Sequence, residues 1–152
     1  MSQKRSVVST TEAPGAVGPY SQGIATDGFV FTAGQIPVNP ATSKIEAETI
    51  EDQTRQVLSN VDAVLRAAGS GLHRVIKMTV FMTDLGDFQA MNGVYAEFFP
   101  SDPPARSAVQ VVALSASAAA GGFGFRNSHP PSVWSFGIWL SGRHSEFLIP
   151  HS

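Results

Sequence analysis

The chain has 152 residues, enough for one domain with a single hydrophobic core. It is 43% hydrophobic and 14% charged with a net charge of −2, which indicates a globular protein and argues against the strongly basic surface of nucleic-acid-binding proteins. It contains no cysteine, which excludes disulfides, thiolate metal sites and a cysteine nucleophile.

The first third of the chain predicts strands. Residues 6–10 are rich in β-formers and predict a short edge strand. Residues 21–26 and 29–33 flank Asp27-Gly28, a dipeptide typical of tight β-hairpins. Residues 38–44, which include Pro40, predict a loop.

A long amphipathic helix is predicted next. Thr49 followed by Asp52 resembles a helix N-terminal capping box, and Gly69 is a plausible stop. Between them, apolar residues recur at three- and four-residue steps: Val57, Leu58, Val61, Val64, Leu65 and Ala68.

A strand, a second helix and another strand follow. Residues 75–82 alternate, which places Ile76, Met78, Val80 and Met82 on one face. Asp84 is a candidate cap for a helix whose buried face comprises Phe88, Met91, Tyr95 and Phe98. Prolines at 100, 103 and 104 end that helix, and residues 106–114 predict a strand.

The order β-β-β-α-β-α-β, over residues 1–114, predicts a two-layer α+β domain in which both helices cover one face of a mixed sheet. The opposite sheet face also carries apolar residues. Because the first 114 residues supply no cover for that face, we expect it to self-associate.

Residues 115–152 differ in composition from the rest. They hold three charged Lys, Arg, Asp or Glu residues, both tryptophans and a glycine-rich stretch, and they show no convincing period. Residues 133–140 can make one strand. We expect this segment to be an atypical tail, irregular or disordered.

Short motifs over residues 3–114 resemble those of the RidA family, also called YjgF/YER057c/UK114. The matching pieces stand in the family's order: Gly18-Pro19-Tyr20-Ser21-Gln22, Phe31-Thr32-Ala33-Gly34-Gln35-Ile36-Pro37, Gln53-Thr54 with Asn60, Val80-Phe81-Met82-Thr83-Asp84, Asn92 with Tyr95, and Pro104-Ala105-Arg106-Ser107. The resemblance implies a chorismate-mutase-like fold and a homotrimer with ligand clefts between subunits.

The resemblance also implies an activity: hydrolysis of reactive 2-imino acids, 2-iminobutanoate and 2-iminopropanoate, to 2-keto acids and ammonia, without a cofactor. Family members have also been described as endoribonucleases and translation inhibitors, which is the alternative. Neither a metal nor a membrane is expected. No apolar run approaches the roughly 20 residues that span a bilayer, and a cytoplasmic location is expected, with a mitochondrial one as the alternative.

Four residues are candidates for the site. Arg106 offers the planar fork of donors that suits a carboxylate, although an arginine at this spacing can equally form a surface ion pair. By resemblance, the Gly34 amide lies at the substrate carboxylate; a turn glycine is the plainer interpretation. Tyr20 can present its phenol to the cleft or stack on the core. Asn92 can be a polar cleft residue or an ordinary solvent-facing one.

The sequence departs from the family after residue 114. The family continues with a Pro-Lys turn and a closing strand of the type Val-Glu-Ile-Glu-Ala, and one glutamate there is thought to position the attacking water. Here no acidic residue lies between Asp102 and Glu146. We therefore expect the last strand to be missing or replaced and activity to be impaired, with a catalytically weak carboxylate-binding or partner-binding protein as the alternative.

Overall fold

Two α-helices and three small sheets make up the part of the chain that the computed structural model describes, residues 5–112, 114 and 133–136. The first sheet is antiparallel, with strand order β1-β2-β3. Its strands are β1 (Ser6–Val8), β2 (Gly23–Thr26) and β3 (Phe29–Thr32). Asp27 and Gly28 join β2 to β3 with φ of 45° and 82°. Both residues are left-handed, so the predicted hairpin is confirmed.

A second hairpin stands where a loop was predicted. Strand β4 (Val38–Asn39) pairs antiparallel with β5 (Lys44–Ile45). Ser43 takes a left-handed φ of 57° and its amide donates to the carbonyl of Asn39 at 2.8 Å. A polar turn of this kind needs no glycine, so the composition did not reveal it.

Helix α1 (Ile50–Ala67) begins and ends as the sequence predicts. The Thr49 hydroxyl accepts from the backbone amide of Asp52 at 3.2 Å and donates to its carboxylate at 3.0 Å. Gly69 has φ of 76°, and the amide of Ser70 donates back to the carbonyl of Leu65 at 2.9 Å, which closes the helix.

The second three-stranded sheet is mixed. Strand β6 (Lys77–Met82) lies in the middle, parallel to β7 (Ala105–Gln110) and antiparallel to β8 (Val133–Phe136). Helix α2 (Phe88–Phe98) connects β6 to β7 and packs against α1. The predicted α+β class with two helices and a mixed sheet is confirmed, but the strands form separate sheets rather than one.

Two further local predictions need correction. Ile76 precedes β6 and is 51% exposed, whereas Val75 is buried. A 3₁₀ turn at Leu72–Arg74 sets the direction of the chain there, so the alternation starts only at Lys77. Asp84 caps a second 3₁₀ turn, Leu85–Asp87, by accepting from the amide of Gly86, and α2 itself begins after Asp87.

The core lies between α1, α2 and the sheets. Its fully buried side chains come from both helices and from the inward face of β6, with Met78, Val80 and Met82 all buried. Strand β8 passes beside α1. A strand from the predicted tail therefore pairs with β6 on the edge opposite β7. The remainder of the predicted tail, including residues 137–140, lies outside the described residues.

Candidate functional site

Arg106, the second residue of β7, lies against one stripe of α2. Its guanidinium carbon is 4.5 Å from the centroid of the Tyr95 ring and 5.4 Å from that of Phe88. Its Nη1 is 4.0 Å from the sulfur of Met91. Phe88, Met91 and Tyr95 share one side of α2 because they are spaced three and four residues apart.

No oxygen atom among the described residues accepts a hydrogen bond from the Arg106 guanidinium. The ion pairs in this part of the chain join Arg55 to Glu97 and Arg66 to Glu12 and Asp62, so the interpretation of Arg106 as one half of a surface ion pair is wrong there. The group is half-buried and carries its positive charge on an aromatic surface. Its unoccupied donors form a fork that matches a carboxylate.

Tyr95 carries the nearest ring to the guanidinium and is not among the four site residues that the sequence predicts. It is 6% exposed, and burial raises the pKa of its phenol to about 12, against an opposing effect of the positive charge on Arg106. Its hydroxyl has no hydrogen-bond partner among the described residues. The helical spacing of Tyr95 and Phe88 predicts core residues; Tyr95 belongs to the core, and Phe88 packs against it.

Asn92 lies beside the same stripe. It is four residues after Phe88 and three before Tyr95, on a helix, so the three side chains are neighbours on the α2 surface. Asn92 is half-buried, and no hydrogen bond to its side chain is found within the described ranges. Its amide can therefore donate to or accept from a ligand near the guanidinium.

Tyr20 and Gly34 lie together at one end of the first sheet. Gly23 pairs with Thr32, and the amide of Ala33 donates to the carbonyl of Gln22 at 2.8 Å, so the segment before β2 runs beside the segment after β3. Tyr20 is 49% exposed, and its hydroxyl accepts from the amide of Val17 at 3.3 Å. It lines an open cavity of about 770 Å³ and does not belong to the core.

Gly34 needs no special backbone conformation. The described glycines with left-handed φ are Gly18, Gly28 and Gly69, and Gly34 is not among them. Its loop is fixed from α1, because Nδ2 of Asn60 donates to the carbonyls of Ile36 and Val38 at 2.9 Å each.

Within one chain, then, the four predicted residues fall into two groups. Arg106 and Asn92 stand at α2 and β7, while Tyr20 and Gly34 stand at the end of β2 and β3. No hydrogen bond or ring contact connects Arg106 with Tyr20 or Gly34. No group of three or more acidic or histidine side chains that could hold a metal is found in the described residues, and none of their helices could span a membrane.

Comparison with known proteins gives consistent matches. The family model described as endoribonuclease L-PSP matches residues 10–120. A RutC family protein of Pyrococcus horikoshii is 52% identical over 110 residues, which cover 72% of this chain and 87% of the relative. Reactive Intermediate Deaminase A of Arabidopsis thaliana, a chloroplastic protein, is 46% identical over 117 residues, 77% of this chain and 63% of the relative.

Solved structures agree with these relatives. A conserved Rid family protein from Yersinia pestis superposes with a TM-score of 0.78 at 38% identity and covers 92% of this chain and 100% of its own. The structure of Escherichia coli TdcF with bound serine superposes with a TM-score of 0.75 at 39% identity, covering 91% and 99%.

Proposed function

Because the chain belongs to the RidA/YjgF family of reactive intermediate deaminases, we propose that it hydrolyses small 2-imino acids to 2-keto acids and ammonia. The substrates proposed are 2-iminobutanoate and 2-iminopropanoate. Overall, the C=N bond takes up one water molecule, the carbon becomes a carbonyl and the nitrogen leaves as ammonia. The reaction transfers no electrons, so no redox cofactor is needed.

One observation carries the proposal: a half-buried guanidinium is held on aromatic rings, and no carboxylate of the described residues pairs with it. A 2-imino acid places a carboxylate directly next to its electrophilic carbon. Arg106 would bind that carboxylate and offset its negative charge, which would otherwise disfavour attack by water. Serine, which is bound in the TdcF structure, also carries a carboxylate next to the carbon that bears nitrogen.

The other three residues would complete the site. The main-chain amide of Gly34 would donate to the substrate carboxylate, and the Tyr20 hydroxyl and Asn92 amide would orient the imine nitrogen or the water. Since Tyr20 and Gly34 are separate from Arg106 within one chain, we propose that neighbouring copies in a homotrimer bring the two groups together. The outer face of β7 supports this, because Ala105, Ser107 and Val109 on it are exposed.

Catalysis is expected to be weak. No acidic residue lies between Asp102 and Glu146, the stretch in which the family carries the glutamate thought to position the attacking water, and no acidic side chain pairs with Arg106 in the described part of the chain. A positioned general base commonly contributes about 10²–10⁴ in rate. A guanidinium that can bind a carboxylate but has no base beside it also supports an alternative function. In that case the protein binds 2-keto or 2-imino acids in the cytoplasm without converting them.

The test is ammonia release from 2-iminobutanoate, generated in the assay by a pyridoxal-phosphate enzyme that acts on threonine. We expect the full chain to accelerate release over buffer, Arg106→Ala to abolish the acceleration, and Arg55→Ala to leave it unchanged. Arg55 is a matched control because it is an exposed arginine paired with Glu97. If the chain binds 2-oxobutanoate but does not accelerate ammonia release, the alternative function as a binding protein is favoured. If it neither binds 2-oxobutanoate nor accelerates ammonia release, the proposed carboxylate site is overturned.

A further inference from the structure

The position of the Arg106 guanidinium is set by ring contacts. Its nearest neighbour is the Tyr95 ring, 4.5 Å from the guanidinium carbon to the ring centroid, against 5.4 Å for Phe88. The remaining contact is to the Met91 sulfur, a weak acceptor. Arginine has a long flexible side chain, and a guanidinium is attracted to the face of an aromatic ring. Without the rings, the weak contact with Met91 would be the one remaining restraint on the guanidinium that the described residues supply.

Tyr95 is itself fixed. Its ring packs on Phe99, with the centroids 4.6 Å apart and the planes tilted by 35°. Both rings are buried in the core. Its hydroxyl finds no partner among the described residues, so its contact with Arg106 uses the ring and not the phenol oxygen. The Tyr95 ring, held in place by the core, therefore offers the guanidinium a fixed surface to pack on.

We propose that Tyr95 is a positioning residue, whose ring holds the Arg106 guanidinium in the orientation that binds a carboxylate; this rests on the proposed function. The guanidinium carbon lies over the Tyr95 ring, and none of its N–H groups donates to an oxygen of the described residues, so they remain available to a ligand. A carboxylate binds a guanidinium in the guanidinium plane, through two parallel hydrogen bonds. Tyr95 would therefore govern affinity for the anionic end of the ligand without touching the ligand.

Binding of 2-oxobutanoate to the full chain tests this, with three variants. In Tyr95→Leu the ring is gone, and we expect the dissociation constant to rise about tenfold. In Tyr95→Phe the ring remains, and affinity should stay within about twofold. Phe98→Leu is the matched control, since Phe98 is a half-buried aromatic residue on the same helix that does not contact Arg106.

In the deamination assay, Tyr95→Leu should raise KM about tenfold and leave kcat within about threefold, because a carboxylate contact is made in both ground and transition states. A Tyr95→Leu variant that folds and binds like the parent would overturn the proposal. So would a Tyr95→Phe variant as weak as Tyr95→Leu, since the hydroxyl would then be the essential group. If Tyr95→Leu does not fold, Phe88→Leu removes the second ring, and unchanged affinity there would count against ring positioning.

A measurement without ligand separates this proposal from the proposed function. The Tyr95 ring should shift the side-chain NMR signals of Arg106 upfield in the free protein, and Tyr95→Phe should retain this shift while Tyr95→Leu loses it. If the shift is present but 2-oxobutanoate does not bind, the proposed function fails and the ring contact stands. If the shift is absent in the parent, the ring does not hold the guanidinium and the proposal fails, whatever the chain binds.

Discussion

The side chain of Gln22 pairs with the backbone of Thr10 through two hydrogen bonds, as one strand pairs with another. The amide of Thr10 donates to Oε1 at 2.7 Å, and Nε2 donates to the carbonyl of Thr10 at 3.0 Å. Nε2 also donates to the carbonyls of Ala13 and Pro14, at 3.2 and 2.8 Å. One buried amide therefore fixes the segment between β1 and β2 that carries Tyr20.

Gln22→Glu should strongly destabilise the protein. The carboxylate has nearly the same shape but no donor, and it would face three carbonyl oxygens in a site that is 4% exposed in the parent. We expect the free energy of unfolding to fall by roughly 2–4 kcal/mol. Urea denaturation measures this, and hydrogen exchange at the Thr10 amide should quicken.

Gln89→Glu is the control for Gln22→Glu, since Gln89 is exposed on α2 and the same change there should alter stability little. Equal stability of the two variants would contradict the role given to the Gln22 side chain.

Asn60→Ala should loosen the loop that carries Gly34. Asn60 is 1% exposed, and its removal leaves the carbonyls of Ile36 and Val38 without their side-chain donor. We expect a loss of about 2–4 kcal/mol in the free energy of unfolding and weaker binding of 2-oxobutanoate. Gln56→Ala, which removes the hydrogen bond to the other end of Asn60, is the control and should cost less. Unchanged affinity in a folded Asn60→Ala variant would show that the loop does not serve the site.

Local signals in the sequence predicted local structure well. The Asp27-Gly28 turn, the Thr49 cap and the Gly69 stop each depend on residues close together in the chain, and all three are confirmed. The prediction that Ile76 lies on the buried face was wrong, because its burial depends on the residue at which β6 begins. The preceding 3₁₀ turn determines that residue. Alternation in sequence carries no information about that start.

The site was only half predictable. Arg106 stood out as a site residue by its residue type and motif. The role of its aromatic neighbours did not stand out, because a helical stripe of Phe88, Met91 and Tyr95 has the same spacing whether it faces the core or a guanidinium. The parallel register of β6 and β7 decides between these two cases, because it pairs Arg106 with Met78 and so places the Arg106 side chain beside α2. That register is a tertiary property.

Tyr95 should make stability fall in alkaline solution. Its pKa is about 12 in the folded protein, against about 10 for an exposed tyrosine. Below about pH 9 both states hold the proton and Tyr95 adds no pH dependence. Between about pH 10 and 12 only the unfolded chain loses it, so the free energy of unfolding should fall by roughly 2–3 kcal/mol.

The Tyr95→Phe variant isolates this effect, because it retains every other titrating group. We expect the difference in stability between parent and variant to be constant up to about pH 9 and to shift in favour of the variant from about pH 10 to 12. Because the Tyr95 hydroxyl has no partner in the described residues, the variant should be at least as stable as the parent at pH 7. Parallel pH curves for the two proteins would show that the phenol is not buried.

Truncation after Leu114 should expose the edge of β6. In the full chain, residues 79–82 of β6 pair antiparallel with β8, from Thr79 opposite Phe136 to Met82 opposite Val133. Without β8 these backbone groups lose their partners, and an unpaired edge promotes pairing between copies. We expect the free energy of unfolding to fall by about 2–4 kcal/mol and sedimentation to show association that grows with concentration. A chain ending at residue 136 keeps β8 and is the control; if both truncated chains melt alike, the strand contributes nothing to the sheet.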